Sequence, residues 1–289
     1  MKFATLSIMD YHPSAGRSVP AFYAEVLQQI EVAEALGFHS VWFAEHHFSS
    51  YGVCPAPPVL LSAAAQRTQR IRLGVAVSVL PFHNPLEIAE QYAMVDMLSN
   101  GRLDFAVGRG YLAHEYEGFR LSREESAGRF DEALTIIEKA WAGETFSFDG
   151  RYLHYGPLTL NVLPIQKPRP PMWIAGLSKE TYAAAPRRGY PIMGVPYILP
   201  HVNDLEPLLA EFNRVADEVQ LAASLREPTF AFHCYVGETD AQAEQEARAY
   251  IQQYVDTRAV GNTKSFAELQ EKGLIIVGGP DRCLRLLRR

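Results

Sequence analysis

Short apolar segments alternate along the chain with longer segments in which apolar residues recur every three or four positions. The short segments are rich in Val, Ile and Phe, which is typical of strands buried on both faces of a parallel sheet. The pattern predicts eight strands, at Phe3–Ile8, Ser40–Ala44, Ile71–Val79, Leu103–Val107, Met172–Ala175, Pro191–Val195, Thr229–Val236 and Leu274–Val277.

The longer segments carry the start and stop signals of helices. Ser18-Val19-Pro20 is a predicted start, because Ser caps helices and Pro is tolerated in a first turn, and Gly37 is the matching stop. Asn84-Pro85-Leu86-Glu87 is a second start of the same kind. Eight strands that alternate with helices favour an α/β fold, a TIM-like (β/α)8 barrel, over a doubly wound sheet.

One barrel domain over residues 1–289 is predicted, with two loop excursions. Residues 143–171 are rich in Gly, Pro and aromatic side chains, with short strands predicted at Phe146–Phe148 and Arg151–His154. Residues 256–272 are interpreted as a mobile loop. Both excursions are expected on one barrel face, where substrate loops lie.

Composition narrows the choice of compartment and partners. The net charge of −6 and the lack of a dense Lys/Arg run argue against nucleic-acid and anionic-membrane surfaces. Cys54, Cys234 and Cys283 lie far apart without a CxxC pair, which indicates a reducing compartment. With no signal peptide and no membrane span in the sequence, a cytoplasmic protein is expected.

Glu45-His46-His47-Phe48 follows a predicted strand and places two imidazoles beside a carboxylate. In a barrel this is the functional edge, so acid–base catalysis or ligand contact competes with simple packing as the role of this cluster. Metal binding is disfavoured, because there is no HExxH and adjacent residues of an extended segment point in opposite directions. Only one of the two histidines is therefore expected to face a pocket.

Gly108-Arg109-Gly110 also follows a strand. With the next three residues it matches a dinucleotide-binding fingerprint, but it lies after the fourth strand and lacks the acidic residue expected about 20 positions on. The two glycines are better explained by a close backbone approach. Arg109 is either a cation for an anionic ligand or one half of a salt bridge at the barrel rim.

Trp173 to Thr181 forms a predicted strand, a tight turn at Gly176 and a helix start. Ser178 at the N-cap and Thr181 one turn later would direct two hydroxyls at one point, as at a helix that binds phosphate. The alternative is an ordinary helix cap. With Arg109, the two hydroxyls form a candidate phosphate clamp.

A set of motifs, specific when taken together, runs through roughly residues 1–195: Gly37-Phe38, Val41-Trp42, Glu45-His46-His47-Phe48, Gly74, Leu80-Pro81, Asn84-Pro85, Ala89-Glu90, Asp96, Ser99-Asn100-Gly101-Arg102 and Gly108-Arg109-Gly110. In these motifs the chain resembles the bacterial luciferase-like flavin-dependent monooxygenases. The resemblance implies a (β/α)8 barrel that binds FMN at the carboxyl ends of its strands.

The resemblance also implies roles for individual residues. His46 matches the catalytic histidine of the family, and Arg109, Ser178 and Thr181 fall where the flavin phosphate is held. Ala76-Val77 matches a non-prolyl cis peptide beneath the flavin ring.

The implied activity is oxygenation of a small organic molecule with O2 and reduced FMN from a separate flavin reductase. The irregular, aromatic-rich excursions 143–171 and 256–272 favour an apolar or aromatic substrate. The implied assembly is a homodimer formed through the helices after the second and third strands. Two alternatives stay open: hydride transfer with the deazaflavin F420, or a catalytically silent flavin-binding or partner subunit.

The chain departs from the family pattern at three places. Gly108 stands where luciferase has a reactive cysteine, and Pro186 interrupts the phosphate helix after little more than two turns. The family's last strand usually follows the helix that begins near Pro280. Either Leu274–Val277 closes the barrel, or the eighth strand is incomplete or missing.

Overall fold

The computed structural model describes residues 1–257 and 264–288, in two compact units, Met1–Met172 and Trp173–Arg289. The strands are β1 Ala4–Ser7, β2 Ser40–Phe43, β3 Arg72–Val79, β4 Leu103–Gly108, β5 Phe146–Asp149, β6 His154–Leu158, β7 Met172–Ala175, β8 Ile192–Gly194, β9 Thr229–Phe230, β10 His233–Val236 and β11 Ile275–Gly278. The helices are α1 Val19–Ala35, α2 Pro57–Ala65, α3 Pro85–Leu98, α4 Ala113–Gly118, α5 Ser126–Ala142, α6 Lys179–Arg187, α7 Leu205–Glu218, α8 Asp240–Asp256, α9 Phe266–Glu271 and α10 Pro280–Leu287.

The first unit contains a parallel sheet in the order β1-β2-β3-β4, with helices between successive strands. All four residues of β2 are buried, as expected for a strand covered on both faces. Trp42 crosses over Gly74 of β3, where a Cβ would lie 2.2 Å from the indole ring. Gly74 is therefore required for the packing of β2 on β3.

The helix starts of the first unit are those predicted. The Ser18 hydroxyl accepts the N–H of Ala21 at the start of α1, and the Asn84 side chain accepts the N–H of Leu86 at the start of α3. These caps satisfy N–H groups that have no partner within the helix.

The second unit contains the parallel strands β7, β8 and β9, and a separate parallel pair, β10 and β11. Thr229–Val236, predicted as one strand, is two strands because β9 pairs with β8 whereas β10 pairs with β11. Parallel strands in chain order with intervening helices confirm the α/β fold of the (β/α)8 type. The barrel is incomplete, since β10 and β11 form a sheet of their own among the described residues.

The two excursions are more ordered than a loop prediction implies. Phe146–Asp149 is a strand as predicted, but the predicted strand Arg151–His154 is wrong. The Glu132 carboxylate accepts the backbone N–H groups of residues 151–153, which leaves them unable to join a ladder, and β6 begins only at His154.

Within residues 256–272, predicted as a loop, Phe266–Glu271 is helix α9. A reciprocal capping box between Ser265 and Glu268 starts it, a signal present in the sequence. Residues 258–263 lie outside the described part of the chain.

Across residues 1–257 and 264–288, no helix combines the length and apolar composition that crossing a membrane requires.

Candidate active site

Segments that follow β2, β3 and β4 come together in the first unit. Parallel strands bring their carboxyl ends to one edge of a sheet, so side chains just beyond them become neighbours. Glu45, His46 and His47 follow β2, His83 lies beyond β3, and Glu115 lies in α4 beyond β4. All are buried except His83, which is partly exposed.

His46 pairs with a carboxylate 69 positions along the chain. Its Nδ1 lies 3.1 Å from Glu115 Oε1, and the same oxygen accepts the backbone N–H of His47 at 2.9 Å. An ionised carboxylate only accepts hydrogen bonds, so His46 Nδ1 carries the hydrogen. His46 Nε2 is left as the nitrogen that can exchange a proton with a bound molecule.

Aromatic side chains surround the His46 ring. The ring centroid of Tyr51 lies 4.8 Å from that of His46, and the Tyr111 ring meets it edge-on at 6.4 Å. Gly52 also lies against His46, because a Cβ at Gly52 would be 2.6 Å from His46 Cβ. The His46 ring is therefore closely packed, and the Tyr111 side chain is exposed to solvent.

His47 takes part in a second network, built on Glu45. Glu45 Oε1 lies 3.0 Å from His47 Nε2 and 2.7 Å from His83 Nε2, and Glu45 Oε2 accepts the N–H of Val79 at 3.1 Å. Burial alone would raise the pKa of Glu45, but the hydrogen bonds from His47 and His83 outweigh it and lower the pKa. The two histidines therefore have different partners, as the opposite directions of adjacent residues predict.

The second network contains atoms that could bind a metal ion. One ligand atom each from Glu45, His47 and His83 lies within 4.8 Å of the other two, and two imidazoles with a carboxylate suit zinc or iron. The same atoms are already satisfied by hydrogen bonds to one another. No motif in the sequence links His83 with Glu45, which lies 38 positions before it.

The nearest cysteine along the chain does not replace the missing thiol at Gly108. The backbone carbonyl of Cys54 accepts the N–H of His46 at 3.3 Å, and its side chain is buried. Burial, with a smaller contribution from the charge of Glu45, raises the pKa of the Cys54 thiol to about 12. Cys54 therefore stays protonated and unreactive near neutral pH.

The peptide bond between Ala76 and Val77 is cis, as the resemblance implies. At this point the pairing of β3 with β4 shifts register between Val75 and Ser78, so Ala76 and Val77 form a bulge. Both are half-buried within a strand that is otherwise mostly buried. A Cβ on Gly108 would lie 2.7 Å from Val77 Cγ2, so the glycine makes the close approach that was predicted for it.

Arg109 is exposed at the end of β4. Its carbonyl accepts a hydrogen bond from the Tyr116 hydroxyl. Gly110 follows with φ +74°, a left-handed conformation that glycine adopts at little cost. Among residues 1–257 and 264–288, no carboxylate forms an ion pair with the Arg109 guanidinium, so the salt-bridge alternative is not seen there.

Gly176, Ser178 and Thr181 lie in the second unit, at the start of α6. The Ser178 hydroxyl accepts the N–H of Thr181 at 3.2 Å and lies 3.1 Å from the Thr181 hydroxyl. A Cβ on Gly176 would lie 2.7 Å from Thr181 Cγ2, so the turn closes over the threonine. Pro186 falls in the last turn of α6, which ends at Arg187.

Glu115 is a second residue of this site that was not predicted from the sequence. It lies in the six-residue helix α4, and no spacing rule links it to His46. The available signal was its position just beyond a barrel strand, where an acidic residue faces the same edge as His46.

Comparison with known proteins places these features in a family. The sequence profile described as luciferase-like monooxygenase matches residues 1–284. The oxygenase component of flavin-dependent trigonelline monooxygenase from Acinetobacter baylyi is 29% identical over 231 residues, 78% of this chain and 62% of that protein. Against two other curated relatives, which are uncharacterized, the chain spans only 54% and 53% of their length.

Solved structures share the fold. Monooxygenase RslO1 from Streptomyces bottropensis superposes with a TM-score of 0.93 at 30% identity, covering 100% of this chain and 88% of that one. The oxygenating constituent of 3,6-diketocamphane monooxygenase from Pseudomonas putida, in complex with FMN, gives 0.85 at 18% identity, with 99% and 86% covered. An F420-dependent tetrahydromethanopterin reductase from Methanopyrus kandleri gives 0.76 at 17% identity, with 99% and 89% covered.

Proposed function

The chain belongs to the luciferase-like monooxygenase family, and on this premise we propose that it is a flavin-dependent monooxygenase with His46 as its acid–base group. The observation that carries the proposal is the buried His46–Glu115 pair at the carboxyl ends of the strands, the edge at which barrel enzymes hold their active sites. Imidazole exchanges protons near neutral pH, as acid–base catalysis of an oxygenation requires.

The first unit fits the ring of FMN. The bulge at Ala76 and Val77 presents backbone and aliphatic groups without charge, and Gly108 behind it has no side chain that would push the bulge outward. A flat aromatic ring could lie against such a surface. We assign the ring of FMN to this bulge.

The second unit fits a phosphate group. The hydroxyls of Ser178 and Thr181 converge at the N-terminus of α6, where the helix dipole favours an anion. Gly176 shapes the turn that holds them. Arg109, exposed at the end of β4 in the first unit, stays a proposed cation for an anionic group of the ligand.

Bound reduced FMN would supply two electrons to O2, of which one oxygen atom enters the substrate and the other leaves as water. His46 would exchange a proton through Nε2 while Glu115 holds Nδ1. Tyr51 and Tyr111 beside the ring favour an apolar or aromatic substrate. A separate flavin reductase would provide the reduced FMN, an arrangement supported by the name of the trigonelline relative as an oxygenase component.

The test is a reductase-coupled assay with candidate substrates, read by mass spectrometry of the products under 18O2. One labelled oxygen atom in the product is expected. His46→Ala should retain FMNH2 binding in anaerobic titration and lose oxygenation by about 100-fold or more. A His46→Ala enzyme that turns over normally would contradict the assignment of His46.

Two alternatives give different results in the same assay. An F420-dependent oxidoreductase, a class that shares the fold, would reduce or oxidise its substrate without consuming O2. A silent subunit would fold but produce no product with any reductase. Binding of F420 in preference to FMN, or failure to bind either, would replace the proposal.

The proposed assembly is a homodimer formed through α2 and α3. These helices expose large apolar side chains, at Val59, Met94, Met97 and Leu98. Val59→Glu together with Met94→Glu should give a monomer in size-exclusion chromatography with light scattering.

The proposed compartment is the cytoplasm, because Cys54, Cys234 and Cys283 form no disulfide.

A further inference from the structure

Glu115 is a charged residue whose burial requires an explanation. It is 1% exposed, although it lies in α4, a helix of six residues that follows β4. A carboxylate withdrawn from water is costly unless it is hydrogen-bonded. Its Oε1 accepts from His46 Nδ1 at 3.1 Å and from the His47 N–H at 2.9 Å, so both donors come from the end of β2.

His114, the residue before Glu115 in α4, bonds to the next peptide unit of the same segment. His114 Nε2 lies 3.1 Å from the carbonyl oxygen of His47, which can only accept. His114 and Glu115 together therefore hold the carbonyl and the N–H of His47. Two consecutive residues of α4 thus fix the backbone on which His46 is carried.

The helix α4 is itself anchored. Leu112 and Tyr116, on either side of His114 and Glu115, are buried, and the Tyr116 hydroxyl donates to the carbonyl of Arg109. The hydroxyl therefore ties the helix to the end of β4. The carboxylate of Glu115 is therefore carried on an anchored helix.

We propose that Glu115 is a positioning residue, which fixes the orientation and the tautomer of His46 so that Nε2 faces the reacting molecule. The inference rests on the proposed role of His46. A carboxylate bonded to one ring nitrogen decides which nitrogen carries the hydrogen, and loss of the equivalent partner of a metal-binding histidine costs about 10- to 100-fold.

The test compares Glu115→Gln with Glu117→Gln, an exposed residue of the same helix whose substitution makes the same change of charge. Histidine-selective 15N labelling and long-range 1H–15N correlation spectra report the tautomer, and His46→Ala assigns the signal. We expect the Nδ1–H form of His46 in the wild type and in Glu117→Gln, and a mixture of tautomers in Glu115→Gln.

The kinetic readout separates positioning from a structural role. Glu115→Gln should lower kcat by about 10-fold or more. KM and FMNH2 affinity should change little. Glu115→Asp, which keeps the charge, should recover part of the rate. If Glu115→Gln does not fold, the Asp variant carries the comparison, with its shorter side chain expected to give an intermediate tautomer population.

Glutamine keeps one acceptor oxygen, so Glu115→Ala, which removes it, completes the test. An unchanged His46 spectrum and unchanged kcat in both Glu115→Gln and Glu115→Ala would overturn the inference. Failure of the proposed function gives a different result. In that case His46→Ala would oxygenate normally, or no product would form at all, while the tautomer measurement would still show whether Glu115 positions the ring.

Discussion

The end of β2 and the start of α6 are two polar sites of opposite construction. At the end of β2, His46 bonds to a residue 69 positions away, and Glu45 bonds to a residue 38 positions away. At the start of α6, Ser178 and Thr181 bond to each other across three positions. The first site depends on strands brought together by the sheet, whereas the second is made by one turn of chain.

The difference predicts how each site responds to substitution. When one residue is removed from a site of buried, long-range hydrogen bonds, several groups lose their partner at once. Water cannot reach these groups, so each unpaired group lowers the stability of the fold. A local, half-exposed cap loses one hydrogen bond, and water can replace it. The four predictions below test this contrast in order of decreasing effect.

Removal of Glu45 should have the largest effect on stability. Glu45→Ala leaves the donors of His47, His83 and Val79 without their acceptor, and the free energy of unfolding should fall by about 3 kcal/mol. Urea denaturation of this variant, beside the exposed-site control Glu117→Ala, measures the cost. A loss no greater than that of the control would show that the buried network is dispensable.

Acid should remove the contribution of Glu45. Its pKa in the folded protein lies below the ordinary value of 4.5, so the network stabilises the fold fully above that value and progressively less as pH falls through the folded pKa. The stability difference between the wild type and Glu45→Gln should therefore be constant from pH 7 to about 5 and shrink below 4.5. A difference that grows in acid would contradict a lowered pKa for Glu45.

Gly108→Ala should have an intermediate effect, because the added methyl group meets the stiff Val77 side chain at 2.7 Å. We expect a loss of about 1–3 kcal/mol in the free energy of unfolding. FMN binding, followed by flavin fluorescence, should weaken as the bulge moves. Gly156→Ala is the control, since a Cβ at Gly156 has no heavy atom within 4 Å. Equal behaviour of the two variants would argue against a tight fit at the bulge.

Ser178→Ala should have the smallest effect on stability, about 1 kcal/mol, which is typical of a lost N-cap. Ser18→Ala is a matched control, because Ser18 caps α1 through a comparable hydrogen bond of 3.3 Å to the N–H of Ala21. Both variants should lose similar stability, measured by thermal unfolding. Only Ser178→Ala should weaken FMN binding, and equal FMN affinity in the two would leave Ser178 as a cap alone.

The predictions made from the sequence succeeded where the signal was local. The positions of β1 to β4 agree with the predicted strands within one residue at each end, and the caps at Ser18, Asn84 and Ser178 are present. The errors arose where a distant residue changed the outcome. Glu132 took the backbone donors of residues 151–153, and a change of partner strand divided Thr229–Val236.

By itself, the sequence determined the alternation of strands and helices, the position of His46 at a strand end and the hydroxyls at the start of α6. These follow from periodicity and capping, which act over a few residues. Only the tertiary structure decided that Glu115 bonds to His46 and that His83 joins Glu45. Those contacts span 69 and 38 positions. The free energy lost by burying these polar groups, and the free energy regained by their hydrogen bonds, arise only when the parallel sheet withdraws the side chains from water.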